Sequence, residues 1–258
     1  MSFIDDIIDV GKSAIGWLGG NSIGSNLAKT ALLGFGLNQI TKSVNKGNDA
    51  TTKPEIDPGV RLQVSPGANQ KIPVLYGSAY FGGIITDAYL TADNKSMYYC
   101  LTLSERTGTK VSDSTSSEFT FNDIFLNDQR VVFKEDGVTV SYTVDRDGNV
   151  DTNPKDLIKI YCYAGSSADP VQVEDFPPNN PIPTADWAMP NWNASMEMND
   201  LIFAIVRIDY SKEKNITSLP TVTFKITNSM TKPGDCLYDY MTNTRYGAGI
   251  AVEDIYVA

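Results

Sequence analysis

Two kinds of hydrophobic spacing divide the chain. In residues 1–53 the apolar positions recur at helical intervals: Phe3, Ile4, Ile7 and Ile8, then Ile15 and Leu18. That is the i, i+3, i+4, i+7 spacing that lines one face of an α-helix. Ser2 and Asp5 stand where a capping box belongs, and early aspartates suit the positive end of a helix dipole. Gly16, Gly19 and Gly20 close this element. A second run over 27–44 spaces Leu27, Ala31, Phe35 and Ile40 helically, with Gly34 and Gly36 loosening it. Residues 45–58 form a polar linker containing two prolines. Two short helices cannot bury these stripes by themselves, so they need a partner.

From residue 60 the period shortens to that of strands. Short β-rich runs occupy 61–64, 72–76, 83–86 and 97–103, separated by Pro-Gly, Gly-Gly and Asp-Asn signals. A Ser/Thr/Asp loop covers 110–118. Further strands are expected at 119–121, 123–126, 129–134, 138–144 and 157–163, with Asn-Asp and Asp-Gly turns between them. Residues 165–194 hold six of the thirteen prolines together with Trp187 and Trp192, which makes a long irregular excursion. The run 201–209 reads as a buried strand, 221–227 alternates strictly, and 235–242 reads as a short helix. No repeat of 20–50 residues is present.

The chain of 258 residues is long enough for one large or two small domains. At 41% apolar and 20% charged residues it has the composition of a folded protein. It contains no histidine, which removes Ser-His-Asp and Cys-His nucleophile pairs and HExxH metal sites. Its three cysteines, Cys100, Cys162 and Cys236, lie far apart and form no ligand motif. An odd count without a signal peptide fits a reducing compartment. The net charge is −10, distributed unevenly: residues 1–53 carry five Lys against four Asp (+1), and the remainder 16 Lys+Arg against 27 Asp+Glu (−11). No basic patch for nucleic acid is visible. The longest uncharged apolar stretch near the N-terminus, 30–41, is well short of the ~20 residues of a membrane span.

Several local patterns fail closer inspection. Gly11-Lys12-Ser13 has Asp6 where a P-loop needs glycine, and Gly34-Phe-Gly36 lacks the third glycine of a dinucleotide fingerprint. The stretch 145–151 resembles a calcium loop, but Gly148 comes two positions early, so a hairpin turn is expected. The pairs Glu174/Asp175 and Glu197/Asp200 could serve a glycosidase, although a solvated acidic surface is the simpler reading. Trp187 and Trp192 have two leading readings, plugs on a β core or anchors for a partner, and sugar stacking is a third.

Read together, two stretches resemble the central tail hub, or tip attachment, proteins of long-tailed bacteriophages. IPVLYG at 72–77 followed by Gly82-Gly83-Ile84 is similar to that family's "IPVVYG…GG" opening. The run 201–210, LPTVTFKI at 219–226 and CLYDYMTNTRYG at 236–247 resemble its buried strand, "iPxVtfxi" and "xLyDllTnxRYG". IFLND at 124–128 resembles its "I-y-L-N-d" hairpin. The resemblance implies a mainly β fold: a hub-type barrel or sandwich of residues 54–111 with 195–258, an inserted β domain at 112–194, and a helical assembly segment and linker at 1–53. It implies a structural role closing the tail tube, with three copies meeting each other, the distal tail protein, the tape-measure protein and other tail-tip or fibre proteins. The location implied is the virion, after assembly in the host cytoplasm. Family members continue beyond the "RYG" helix, so the chain reads as a fragment or as one half of a split hub.

On this reading no catalytic residue, cofactor or metal is expected, nor direct nucleic-acid contact or stable membrane insertion. The partner-binding residues expected are Phe3, Ile4, Ile7, Ile8, Ile15, Trp17, Leu18, Leu27, Phe35, Ile40, Trp187 and Trp192. The readings from other classes are a carboxylate-only, tail-associated glycosidase and a carbohydrate-binding β module.

Overall fold

Among the described residues twelve strands build two sheets that face each other across one hydrophobic core. A computed structural model describes residues 60–61, 70–166, 168–176 and 181–255. The strands are β1 (Val60–Arg61), β2 (Ser78–Phe81), β3 (Ile84–Leu90), β4 (Ser96–Glu105), β5 (Phe119–Leu126), β6 (Gln129–Phe133), β7 (Val140–Val144), β8 (Val150–Asp151), β9 (Ile158–Ala164), β10 (Pro170–Val171), β11 (Leu201–Asp209) and β12 (Val222–Asn228). Two helices, α1 (Ala185–Ala188) and α2 (Pro233–Thr242), and a 3-10 turn at Val252–Asp254 complete the described elements.

The first sheet runs β1-β2-β12-β5-β6-β7-β8 and the second β10-β9-β11-β4-β3. Every pairing is antiparallel except that of β1 with β2. The protein is therefore mainly β, a sandwich of two sheets. Phe81, Phe121, Ile124, Val131, Phe224 and Ile226 of the first sheet meet Leu101, Leu103, Ile160, Ile202, Ala204 and Val206 of the second in a shared core.

The second sheet is buried on both faces, which explains the apolar run at 201–208. Ile202, Ala204, Val206 and Ile208 point into the sandwich, whereas Phe203 and Ile205 point the other way into a smaller cluster with Tyr98, Cys100 and Tyr163. The irregular segment that includes α1 closes over that outer cluster through Ala185, Ala188 and Met189. β12 has only one fully covered face, so its sequence alternates.

The inserted domain expected at 112–194 does not form as a separate body. β5 pairs with β12, and β9 lies between β10 and β11. Their apolar residues join the shared core because a strand pair cannot bury a face alone. The polar loops at 110–118 and 165–194 mark surface connections and not a domain boundary. The run 72–76 is also not a strand. Pro73 has no N–H to give a ladder, and the segment is pinned to the end of β4, with the Leu75 N–H donating to Ser104 Oγ and the Glu105 N–H to Pro73 O. The stretch 145–151 is the hairpin turn expected: Asp145 accepts from the backbone N–H groups of Asp147 and Asn149. Among the described residues no helix is long and apolar enough to cross a membrane.

Candidate interaction surfaces

α2 is an inverted amphipathic helix. Pro233 starts it, in a first-turn position where the missing N–H costs nothing. The residues it buries are Asp235 and Asp239, one helical turn apart, while Leu237 and Tyr240 are 60% and 49% exposed. The buried carboxylates are fully employed. Asp235 accepts from the N–H and the hydroxyl of Ser112, at 2.8 and 2.6 Å, and the hydroxyl bond above all holds its carboxyl below the ordinary range. Asp239 Oδ2 accepts from Tyr76 at 2.7 Å and Tyr246 at 2.6 Å, and its Oδ1 from the N–H of Gly108 at 2.9 Å. Burial, reinforced by the bond to this carboxylate, pushes both phenols above their ordinary value.

The chain then folds back over the end of the helix. The N–H groups of Ala248 and Ile250 donate to the carbonyls of Tyr240 and Met241, each at 2.8 Å. Gly247 is required for this close approach, since a Cβ there would fall on the Tyr240 carbonyl. Arg245 completes the strap: its Nε lies 2.8 Å from buried Glu105 and its Nη1 3.6 Å from Asp200, and it donates to the Asn199 carbonyl. Burial pushes the Glu105 carboxyl up, Arg245 opposes the rise and Asp200 adds to it. Between strap and sheet lies a cleft of about 650 Å³, lined chiefly by Arg106, Thr107, Gly108, Asp239, Arg245 and Tyr246.

A second surface stands over the outer face of the second sheet. Tyr163 donates to the Pro183 carbonyl and stacks on Phe203 with ring centroids 4.8 Å apart. Trp192 leans on Phe203, and its Nε1 donates to Asp87 on β3. These anchors leave Trp187 with 81% of its surface in solvent. The two tryptophans, read in the sequence as core plugs or partner anchors, thus have different surroundings. Trp192 is half-buried against the outer cluster, whereas Trp187 is exposed. The N-terminal residues expected to bind partners, from Phe3 to Ile40, lie outside the described residues.

The carboxylates weighed as acid pairs each have a partner of their own. Glu174 accepts from Asn122, Asp175 approaches Arg130, Glu197 accepts from Asn199, and Asp200 belongs to the Arg245 strap. Sequence reasoning missed the inverted helix, although its signal was present: aspartates at 235 and 239 put one acidic stripe on a helix whose other face carries Leu237 and Tyr240.

Together these features define a two-sheet β sandwich with a strapped C-terminal helix and an anchored tryptophan loop. No protein-family model and no curated protein matches the chain. Among solved structures, a chain of a "Virion of native gene transfer agent (GTA) particle" is similar over 85% of this chain and 38% of its own length, with 15% identity and a TM-score of 0.35.

Proposed function

We propose that the protein is a structural component of a phage-like virion, and that its place is the hub of the tail tip. The observation that supports this reading is a meeting of two hub-like stretches. Tyr76, from the IPVLYG stretch, and Tyr246, from the LYDYMTNTRYG stretch, both donate to the buried carboxylate of Asp239, which also belongs to the second stretch. Residues that carry the resemblance are thus the ones that fasten α2 to the sandwich. In this role the chain closes the tail tube as one of three copies and joins the distal tail ring, the tape-measure protein and the fibre-bearing parts. The exposed Trp187 supports the partner-binding part of the reading, because a large aromatic held out by a rigid base is the residue type that anchors interfaces.

Cryo-electron microscopy of particles from producing cells, with the chain identified by mass spectrometry, tests the proposal. Threefold density for this chain at the distal end of the tail tube is expected. Its absence from particles, or a position in the head, would overturn the reading.

A further inference from the structure

The cleft beneath the Arg245 strap is set apart by the chemistry of its wall. None of the described residues that line it is aliphatic; the wall is arginine, aspartate, asparagine, threonine, serine, glycine and tyrosine throughout. Its volume of about 650 Å³ suits a small ligand, since such sites span roughly 300–1,000 Å³, but they are ordinarily lined by apolar side chains. An apolar anchor would bury little against this wall and so gain little. The occupant that fits is one whose own surface is polar.

Several of these groups keep capacity to bind. Arg106 Nη1 lies 3.7 Å from Asp169, and the Asp200 carboxylate, 69% exposed, lies 3.6 Å from Arg245 Nη1. Both separations exceed a hydrogen bond, so donors on one side and acceptors on the other remain open. The exposed hydroxyls of Thr109, Ser116 and Thr244 can both donate and accept. The base that carries them is rigid. Asp239 is fastened by Tyr76, Tyr246 and the Gly108 N–H. Asp200 is held in the left-handed region, at φ +61°, by its N–H donating to the Gly165 carbonyl at 2.6 Å and its carbonyl accepting from Arg106 at 2.8 Å. Backbone held in that region concentrates at ligand sites, and a site already ordered costs less to fill.

Charge decides which polar ligand. On the wall two guanidinium groups, Arg106 and Arg245, face two carboxylates, Asp200 and Asp239, and Glu105 stands behind Arg245. No positive excess draws a phosphate or an acidic chain. A neutral molecule dense in hydroxyl groups matches instead. A guanidinium and a carboxylate each offer two parallel hydrogen-bonding sites, which adjacent sugar hydroxyls can meet. Tyr238 and Tyr246 add rings that are apolar in body and polar at the tip. We propose that this cleft binds a neutral oligosaccharide, with Arg106 donating to it and Asp200 accepting from it. The step is binding and not hydrolysis, because Asp239 is spent on three donors and glycoside cleavage needs two working acids. The site does not depend on where the chain sits in a particle.

The test applies the full chain to an array of neutral hexose and N-acetylhexosamine oligomers beside sulfated and uronic-acid ones. Binding to at least one neutral oligomer is expected, with a Kd below about 1 mM by calorimetry. Asp200→Asn keeps a residue type that tolerates positive φ. It and Arg106→Gln should each weaken that binding roughly tenfold or more, with an unchanged melting temperature, while Val150→Ala, on exposed β8, should not. A readout that needs no variant is hydrogen exchange of the unaltered protein: the bound oligomer should slow exchange in residues 106–109 and 242–246. Absence of neutral binding, or binding to acidic oligomers alone, would overturn the proposal. Cleft variants that bind as the parent does, or protection confined to residues 184–192, would overturn it as well.

Discussion

Tyr76 and Tyr246 donate to the same oxygen of Asp239, which joins the loop before β2 to the turn after α2. One carboxylate therefore holds three donors from three parts of the chain, counting the Gly108 N–H. Replacing it by alanine would orphan all of them in a half-buried site. We expect Asp239→Ala to cost roughly 2–4 kcal/mol in denaturant unfolding. The loss should be concentrated in the strap, seen as faster proteolysis after residue 242. Asp239→Asn, which keeps one acceptor, should cost less.

Two carboxyl groups give opposite pH dependences. Glu105 has its pKa raised by burial, so the folded state binds its proton more tightly than the unfolded chain. Its contribution is complete below the ordinary Glu range and is lost as pH rises through the folded-state value. For Asp136, burial raises the pKa, but the Thr139 hydroxyl and the N–H groups of Thr139 and Val138 outweigh it and hold it low. Its contribution is present above the ordinary Asp range and fades as pH falls through the folded-state value. Unfolding titrations between about pH 3 and 7 should show Glu105→Gln gaining on the parent as pH rises and Asp136→Asn gaining as pH falls.

The tryptophans should separate by assay. Trp187→Ala removes a solvent-facing side chain and should change stability by less than about 0.5 kcal/mol, while weakening capture by whatever partner the exposed ring meets. Trp192→Phe loses the donor to Asp87 and should cost about 1 kcal/mol. Thermal melts and pull-downs on both variants check the division. A stability loss at Trp187 equal to that at Trp192 would contradict it.

Gly83 combines a φ of +72° with no room for a side chain, since a Cβ would lie 2.8 Å from Leu103 Cδ2 and 3.2 Å from Leu101 Cβ. Gly83→Ala should destabilise the fold by roughly 1–3 kcal/mol through backbone strain and overpacking. Gly148, also at positive φ but with open space around it, should lose less on the same change, as urea midpoints would show.

The mainly β class and the strands β4 to β7, β9, β11 and β12 are legible in the sequence because their apolar periods match their burial, and α2 is legible as a helix but not in which face it buries. The sheet assignments are not. β5 and β9 alternate much alike, yet one joins the first sheet and the other the second. That choice is made by pairing with β12 and β11 across long stretches of chain, and no local spacing encodes it. The polar stretch at 110–118 imitates a domain boundary because Ser112 is spent on Asp235 of a distant helix. The different surroundings of Trp187 and Trp192 are equally invisible, since Trp192 donates to Asp87 of a strand distant in sequence.

The positions of β11 and β12 also set an order of events during synthesis. β12 fills the gap between β2 and β5, and β11 the gap between β9 and β4. Both strands come from the last quarter of the chain, yet each sits inside its sheet. A nascent chain that has emerged only as far as residue 200 holds strands that have no central neighbour to pair with, and a core open along its middle. Closure of both sheets must wait for Asn228 to leave the ribosome, so this protein completes its fold late and nearly all at once.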